Sequence, residues 1–154
     1  MGLVKPKKFL GQHFLRDLGI ANDIADTVDT CPTLPILEVG PGMGVLTQFL
    51  LNKNREVKVV ELDFESVAYL KENFADLKEN IIEDDFLKLK LENIFNGKPF
   101  VLTGNYPYNI SSQIFFKRAN IIQSRSWVNI TTIKQSMNTK FFNSVFVSLS
   151  NHSF

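Results

Sequence analysis

A short apolar segment that stops at a cluster of glycines is the feature that most limits what this chain can fold into. Residues 35–39 (PILEV) run directly into the turn segment GPGMG at 40–44, and residues 44–51 then resume with apolar residues at helical spacing. This order predicts a strand, a tight turn and a helix. Glycine adopts positive φ and lets a ligand approach the backbone closely, so the turn is a candidate binding site. Val45 stands where a G-x-G-x-x-G dinucleotide fingerprint needs its last glycine, which disfavours a pyrophosphate site.

The alternation of strand and helix continues along the chain. Apolar periodicity predicts a helix over 17–28, with Asp17 as its N-cap, and another helix over 67–74. The second, third and fourth strands are predicted over 57–62, 80–83 and 99–103. Strands that alternate with helices pair in parallel through right-handed crossovers. We therefore expect an α/β fold, an open Rossmann-like sheet with helices on both faces and a ligand at the carboxyl ends of the strands.

Acidic residues follow two of these strands. Glu61 closes the second strand, seventeen residues after Gly44, where nucleotide-binding sheets place an acid that accepts hydrogen bonds from ribose hydroxyls. Asp63 suits the same role or that of an N-cap for the next helix, and we favour Glu61 as the ligand. After the third strand, Asp85 is suited to accept a hydrogen bond from an adenine amino group while the Phe86 ring packs on the base. A solvated loop is the alternative for this last pair.

The most specific segment is GNYPYN at 104–109, after the fourth strand. Pro107 fixes its own φ and restricts the residue before it, so a rigid turn is predicted to present Asn105 and Tyr108 at the sheet edge. Such a group suits methyl transfer to adenine N6, a poor nucleophile because its lone pair is delocalised into the ring. The Asn105 side-chain oxygen and a backbone carbonyl would accept both amino hydrogens and orient the lone pair. Tyr108 would stack on a base removed from its own stack.

Charge is distributed unevenly. Residues 1–16 contain basic residues and no acid, residues 17–117 hold all 16 acids, and residues 118–154 again contain only basic charges. The basic residues of the N-terminal arm are Lys5, Lys7, Lys8 and Arg16. Because lysine and arginine neutralise phosphates, this arm is expected to bind nucleic acid, with a solvated tail as the alternative.

Cysteine and histidine are too few for a metal centre. Cys31 is the single cysteine, and His13 and His152 are the only histidines, so we expect no disulfide, no metal and a reducing compartment. No apolar run approaches the roughly 20 residues of a membrane helix, and the start MGLVKPKK lacks the apolar core of a signal peptide. We expect a cytoplasmic monomer without membrane contact.

Five segments of the chain, taken in order, resemble the ribosomal RNA adenine dimethyltransferases that modify small-subunit RNA. They are KFLGQHFL at 8–15, LEVGPGMGVLT at 37–47, VVELD at 59–63, EDDF at 83–86 and GNYPYNIS at 104–111. The resemblance covers about residues 5–117. It implies a methyltransferase sheet, S-adenosylmethionine as methyl donor, and N6-dimethylation of two adjacent adenines near the 3′ end of small-subunit RNA in a pre-ribosomal particle, linked to ribosome assembly.

The same resemblance assigns roles to individual residues. The donor site would comprise His13, Leu15, Gly40, Gly42, Glu61, Asp85, Phe86 and Asn105. Within it, Glu61 would hold the ribose, Asp85 the donor's adenine, and Asn105 both donor and target base. The catalytic segment would comprise Asn105, Pro107 and Tyr108. His13 stands where many relatives have Asn, and Tyr106 replaces a common Leu; neither change is expected to remove the site.

The resemblance stops after about Lys117. We expect a basic arm at 1–16, a partial methyltransferase domain at 17–117 and a tail at 118–154 outside the family, with the family's C-terminal helical domain absent. The tail has no acid, 7 Ser and 5 Asn, which suggests a shifted reading frame or other unrelated sequence after a truncated enzyme. A divergent natural tail is the alternative. The sheet would then end at the fourth strand and leave its edge uncovered.

Two other functions stay open. One is a large-subunit RNA adenine N6-methylase of the antibiotic-resistance type, although the basic start KPKKFLGQHFL favours the small-subunit branch. The other is a non-catalytic RNA-binding fragment that uses the arm at 1–16. An enzyme that uses NAD is disfavoured by Val45 and by the lack of a catalytic acid–base pair. Because this copy is expected to be incomplete, an inactive chain is a further alternative.

Overall fold

The computed structural model describes residues 15–31, 33–107, 113, 127–133 and 141–148. The strands are β1 (Ile36–Val39), β2 (Val57–Glu61), β3 (Ile81–Glu83), β4 (Phe100–Thr103), β5 (Asn105–Pro107), β6 (Trp127–Ile133) and β7 (Phe141–Ser148). The α-helices are α1 (Leu18–Thr27), α2 (Thr47–Leu51) and α3 (Phe64–Asn73). Short 3-10 helices span Val28–Thr30, Ala75–Asn80 and Leu91–Asn93.

The first four strands form a parallel sheet in the order β3-β2-β1-β4. Val39 lies opposite Val60, and Glu38 lies opposite Thr103 on the other side of β1. The carboxyl ends of the strands therefore meet at one edge. The predicted α/β fold and all four predicted strands are confirmed, each within about a residue at either end.

Each of the two longer helices begins at an aspartate. The Asp17 side chain accepts a hydrogen bond from the Ile20 N–H at 3.0 Å, and Asp63 accepts one from the Ser66 N–H at 3.2 Å. Such caps satisfy N–H groups that have no partner within the helix. Of the two roles predicted for Asp63, the structure shows the N-cap. Helix α2 begins only at Thr47, and residues 42–46 before it are in turn conformation.

Apolar residues fill both faces of the parallel sheet. On one face, residues such as Ile36 and Val59 pack with Ile24, Leu50 and Leu70 of the three helices. The other face is covered by Phe86, Leu91, Ile94 and Phe95, which lie in a segment whose described structure is turns and one 3-10 helix. The expectation of α-helices on both faces is therefore met on one face only, as far as the described residues go.

The spacing of the apolar residues explains why turns and a 3-10 helix, and not an α-helix, cover the second face of the sheet. Leu87, Leu89 and Leu91 alternate with lysines, which is a period of two and not of 3.6. All three leucines face this part of the core. Asn96 and Gly97 then adopt positive φ, which turns the chain back towards β4.

The edge of β4 is covered, contrary to the expectation of an open edge. β7 runs antiparallel to β4, with Val101 opposite Val147, and continues along β5, with Tyr106 opposite Phe142. β6 pairs with the other side of β7. The parallel part of the sheet ends at the fourth strand as predicted, but the Ser- and Asn-rich tail contains strong strand formers at 141–147 that supply the backbone partners β4 needs.

None of the helices among the described residues is both long enough and apolar enough to cross a membrane.

Candidate functional site

A pocket opens at the carboxyl edge of the sheet between the ends of β1 and β4. It is lined by Leu15, Glu38, Gly40, Pro41, Met43, Val45, Leu46 and Asn105. β1 lies between β2 and β4, so the order of the strands reverses at this point. Ligands of open α/β sheets bind at such switch points. The described residues enclose a cavity volume of about 20 Å³, well below the roughly 300–1,000 Å³ of small-molecule sites.

The glycine turn forms one wall of the pocket. Gly40 has φ +67°, and a Cβ placed on it would meet no atom within 4 Å, so the backbone borders open space. Gly44 has φ +76°, and a Cβ there would lie 2.3 Å from Cζ of Phe74. Gly40 therefore leaves room beside the backbone, whereas the absence of a side chain at Gly44 lets the Phe74 ring pack directly on the turn. The predicted use of glycine for positive φ is confirmed.

Glu61 connects the end of β2 to the glycine turn. Its Oε2 accepts a hydrogen bond from the Gly42 N–H at 3.1 Å, and its Oε1 accepts from the N–H groups of Leu62 and Asp63 at 2.9 and 3.0 Å. Burial raises the pKa of Glu61, and these backbone donors act in the opposite direction. A carboxylate offers about four acceptor positions, and three backbone N–H groups fill three of those of Glu61, so it can still accept one further hydrogen bond, for example from a hydroxyl group.

The acid in the pocket lining is Glu38 on β1, which is only 1% exposed, whereas Glu61 lies outside that lining. The Thr47 hydroxyl donates to Oε2 of Glu38 at 2.7 Å. Burial, with a smaller contribution from the charge of Glu61, raises the pKa of Glu38 to about 8, although the Thr47 hydrogen bond lowers it. This carboxyl group is therefore mainly protonated at neutral pH.

Asn105 and Leu15 also lie at the pocket. Both are half-buried and lie in its lining. Asn105 follows directly after β4 and Gly104. Residues 105–107 form β5, a short strand paired with β7, where the sequence predicted a turn. Pro107 belongs to this strand and pairs with Phe141.

Asp85 and Phe86 lie one strand further along the same edge, outside the pocket lining. The Asp84 N–H donates to the Glu61 carbonyl oxygen at 3.2 Å, which places this segment beside the end of β2. Asp85 Oδ1 accepts from the Leu87 N–H at 2.9 Å, and Oδ2 lies 3.7 Å from Lys88 Nζ. Phe86 is 6% exposed and packs in the core, so its ring is not displayed at the surface.

Several predicted residues lie outside the described part of the chain. They are Lys5, Lys7, Lys8, His13 and Tyr108. Arg16 is described and exposed. Within the described residues, no cluster of three or more His, Cys, Asp or Glu side chains could hold a metal ion.

Sequence reasoning missed Glu38. The strand PILEV was interpreted only as an apolar run, although the interior strands of a parallel sheet are normally apolar throughout. Burying a carboxyl group in such a strand costs free energy unless the group is paired or neutral. A glutamate within an otherwise apolar strand was therefore the feature of the sequence that could have identified Glu38.

Comparison with known proteins identifies relatives over most of the chain. The family model described as ribosomal RNA adenine dimethylase matches residues 4–148. The ribosomal RNA small subunit methyltransferase A of Phocaeicola vulgatus is 84% identical over 117 residues, which are 76% of this chain and 42% of that protein. The protein of the same name from Bacteroides fragilis is 77% identical over 117 residues, or 43% of its length. The chain thus spans less than half the length of these curated relatives.

Solved structures share the fold at low identity. The 23S rRNA methyltransferase ErmE superposes with a TM-score of 0.54 and 18% identity, over 89% of this chain and 70% of that one. An O-methyltransferase from Bacillus cereus, solved in complex with SAH, gives 0.57 and 13% identity, over 92% and 85%. These likenesses confirm the Rossmann-like sheet.

Proposed function

Because the chain belongs to the ribosomal RNA adenine dimethylase family, we propose that it forms the donor-binding part of an S-adenosylmethionine-dependent enzyme that dimethylates adenine N6 in small-subunit ribosomal RNA. The observation that carries this proposal is the arrangement of three strand ends around the glycine turn. Gly40 follows β1 and Asn105 follows β4, and both line one pocket, whereas Glu61 ends β2 outside that lining and is hydrogen-bonded to Gly42 of the turn.

The residues present fit the donor's chemistry. The space beside Gly40 admits a ligand against the backbone. Glu61, held by three backbone N–H groups, is suited to accept hydrogen bonds from the ribose hydroxyls. Asp85 is assigned to the adenine amino group. Leu15, together with His13, would close the site on the side of the N-terminal arm.

When bound, the donor supplies an electrophilic methyl group. Asn105 has the task of accepting hydrogen bonds from the target amino group, which orients the nitrogen lone pair and stabilises the positive charge that develops on it. Pro107 stiffens the segment that carries Asn105, and Tyr108 stacks on the target base. The half-buried position of Asn105 supports this role because water is partly excluded there.

The RNA partner is proposed from family and charge. The basic residues Lys5, Lys7, Lys8 and Arg16 would bind phosphates of the RNA in a pre-ribosomal particle. The names of the curated relatives, small subunit methyltransferase A, support the small subunit as substrate. A monomer in the cytoplasm completes the proposal.

For residues 118–154 we propose unrelated sequence after a partial methyltransferase domain at 17–117. The 84% identity extends over 117 of the 154 residues, which supports a change of sequence within the chain. The family model nevertheless extends to residue 148. Reading the other two frames of the gene downstream of codon 117 tests the frameshift: absence of an acid-containing continuation there would contradict it.

Calorimetric titration of the purified chain with S-adenosylmethionine tests the donor site. We expect binding, weakened about 10- to 100-fold in Glu61→Gln because a hydrogen bond to a charged group contributes about 1.5–3 kcal/mol. Glu83→Gln is the matched control, since Glu83 lies opposite Glu61 on β3 and is exposed. Absence of heat with the wild type would contradict the proposal and favour a non-catalytic RNA-binding fragment.

Methyl transfer to isolated, under-methylated subunits tests the substrate. We expect incorporation into small subunits and its loss in Asn105→Ala. Transfer to large subunits instead would support the antibiotic-resistance type of methylase. Normal turnover of Asn105→Ala would remove this residue from its proposed role.

A further inference from the structure

Glu38 is a buried acid in the donor pocket to which the proposed function gives no task. Glu38 lies on β1, two residues before Gly40, and belongs to the pocket lining while it is only 1% exposed. The Thr47 hydroxyl on α2 donates to Oε2 at 2.7 Å. Burying an acid in an interior strand of a parallel sheet costs free energy, so its presence there needs an explanation.

The surroundings of Glu38 do not contain a positive partner among the described residues. The charged group that acts on it is Glu61 on β2, which opposes ionisation. On β4 its neighbour is Thr103, and from α2 comes Thr47. The protonated form therefore dominates at neutral pH, since burial raises the pKa of Glu38 to about 8.

Thr103 adds an independent observation. Its hydroxyl is buried, and within the described part of the chain it has no hydrogen-bond partner. Thr103 lies directly opposite Glu38 in the neighbouring parallel strand, so the two side chains point to the same face of the sheet. An unsatisfied buried hydroxyl normally has an explanation. In this case the Thr103 hydroxyl is a hydrogen-bond donor that becomes useful when the neighbouring carboxyl group of Glu38 ionises.

We propose that Glu38 releases its proton when a positively charged ligand enters the pocket, so that binding of the methyl donor is coupled to proton release. The inference rests on the proposed function in one respect, the identity of that ligand as S-adenosylmethionine. In the step, the O–H bond of the Glu38 carboxyl group breaks and the proton passes to water. Thr47 and Thr103 then both donate to the carboxylate.

The charge of the ligand provides the driving force. The donor carries a sulfonium and an ammonium group, whereas the demethylated product, S-adenosylhomocysteine, has lost the sulfonium charge. In a low-dielectric pocket a nearby positive charge favours the ionised carboxylate by about 1–3 pKa units. Glu38 therefore discriminates between donor and product, because only the donor brings the additional charge that the carboxylate stabilises.

The coupling predicts a definite pH dependence. At pH 7 the Glu38 carboxyl group of the ligand-free chain is mainly protonated. Each donor molecule that binds at this pH should therefore release about 0.4–0.9 proton. Donor affinity should correspondingly rise about 5- to 50-fold between pH 6 and pH 8. Product affinity should rise less over the same range.

Calorimetry of the full chain with S-adenosylmethionine at pH 7, in two buffers of different ionisation enthalpy, measures the protons released. We expect release by the wild type, less release with S-adenosylhomocysteine, and none in Glu38→Gln, whose neutral amide keeps the shape of the protonated acid. Thr103→Val should release less because the ionised carboxylate loses its second donor. Glu83→Gln, an exposed acid on β3, is the control and should match the wild type.

A second measurement follows the carboxyl group without ligand. Infrared difference spectra of the ligand-free chain should show a protonated carboxyl band at pH 7 that disappears above about pH 8 and is missing in Glu38→Gln. Donor binding with identical heats in both buffers would overturn this inference and leave the proposed function intact. An ionised Glu38 in the ligand-free chain would overturn it as well. Absence of any donor binding would refute both proposals together.

Discussion

The contact between Gly44 and Phe74 makes the glycine turn depend on a residue thirty positions away. Gly44→Ala introduces a methyl group 2.3 and 2.4 Å from Cζ and Cε2 of the Phe74 ring, whereas carbon atoms normally approach to about 3.5 Å. Phe74 follows α3 and packs against the core. The ring must therefore move, and the end of α3 or the turn must move with it.

The expected loss of stability has two parts. Alanine at φ +76° costs about 1–2 kcal/mol because its Cβ crowds the backbone in the left-handed region. Displacement of the packed ring adds about 1–3 kcal/mol. Gly97→Ala is the matched control: Gly97 has φ +75°, and no atom lies within 4 Å of its Cβ position, so only the first part applies there.

Urea unfolding of the two variants separates these parts. Gly44→Ala should lose about 1–3 kcal/mol more stability than Gly97→Ala. Phe74→Leu in the Gly44→Ala background should recover about the same amount as a coupling energy in a double-mutant cycle. Equal losses in the two alanine variants, or no coupling to Phe74, would refute the packing account of the third glycine.

Three further predictions concern charge and burial. The free energy of unfolding of the wild type should fall by up to about 1.4 kcal/mol per pH unit between about pH 5 and 8. The reason is the raised pKa of Glu38, which keeps a proton on the folded chain that the unfolded chain has lost. Urea unfolding of Glu38→Gln at several pH values should lack this pH dependence. Thr103→Val should be neutral or stabilising by up to about 1 kcal/mol in thermal unfolding, because the hydroxyl has no partner among the described residues; a clear loss would contradict this. Lys53→Met should lower the free energy of unfolding by about 0.5–1.5 kcal/mol, and by less at high salt. The reason is that Lys53 Nζ lies 2.6 and 2.7 Å from carboxylate oxygens of Asp26 and Asp29. A loss of stability that does not depend on salt would argue against ion pairing.

Local signals in the sequence were sufficient for the parallel sheet. The apolar run at 36–39 and the β-branched run at 57–61 formed strands, and the caps Asp17 and Asp63 began helices, because these elements depend on neighbouring residues. The place of Glu61 at the carboxyl edge was predictable for the same reason, because this residue ends a strand that follows the glycine turn.

Features that depend on distant residues were not predictable in the same way. The neutral state of Glu38 depends on burial beneath α2 and on the charge of Glu61, neither of which is adjacent in sequence. Phe86 packs in the core because the leucines that follow it cover the second face of the sheet. The pairing of β7 with β4 links residues more than forty positions apart, and composition of the tail gave the opposite expectation.

The most direct test of the central claim is to map the donor on the chain itself. Amide chemical shifts recorded during titration with S-adenosylmethionine should change at Gly40, Gly42 and Leu62 at the ends of β1 and β2, and at Asn105 after β4. Saturable changes confined to these strand ends are the predicted result. Saturable changes elsewhere, for example around Lys88 and Leu89, with these amides unaffected, would contradict it.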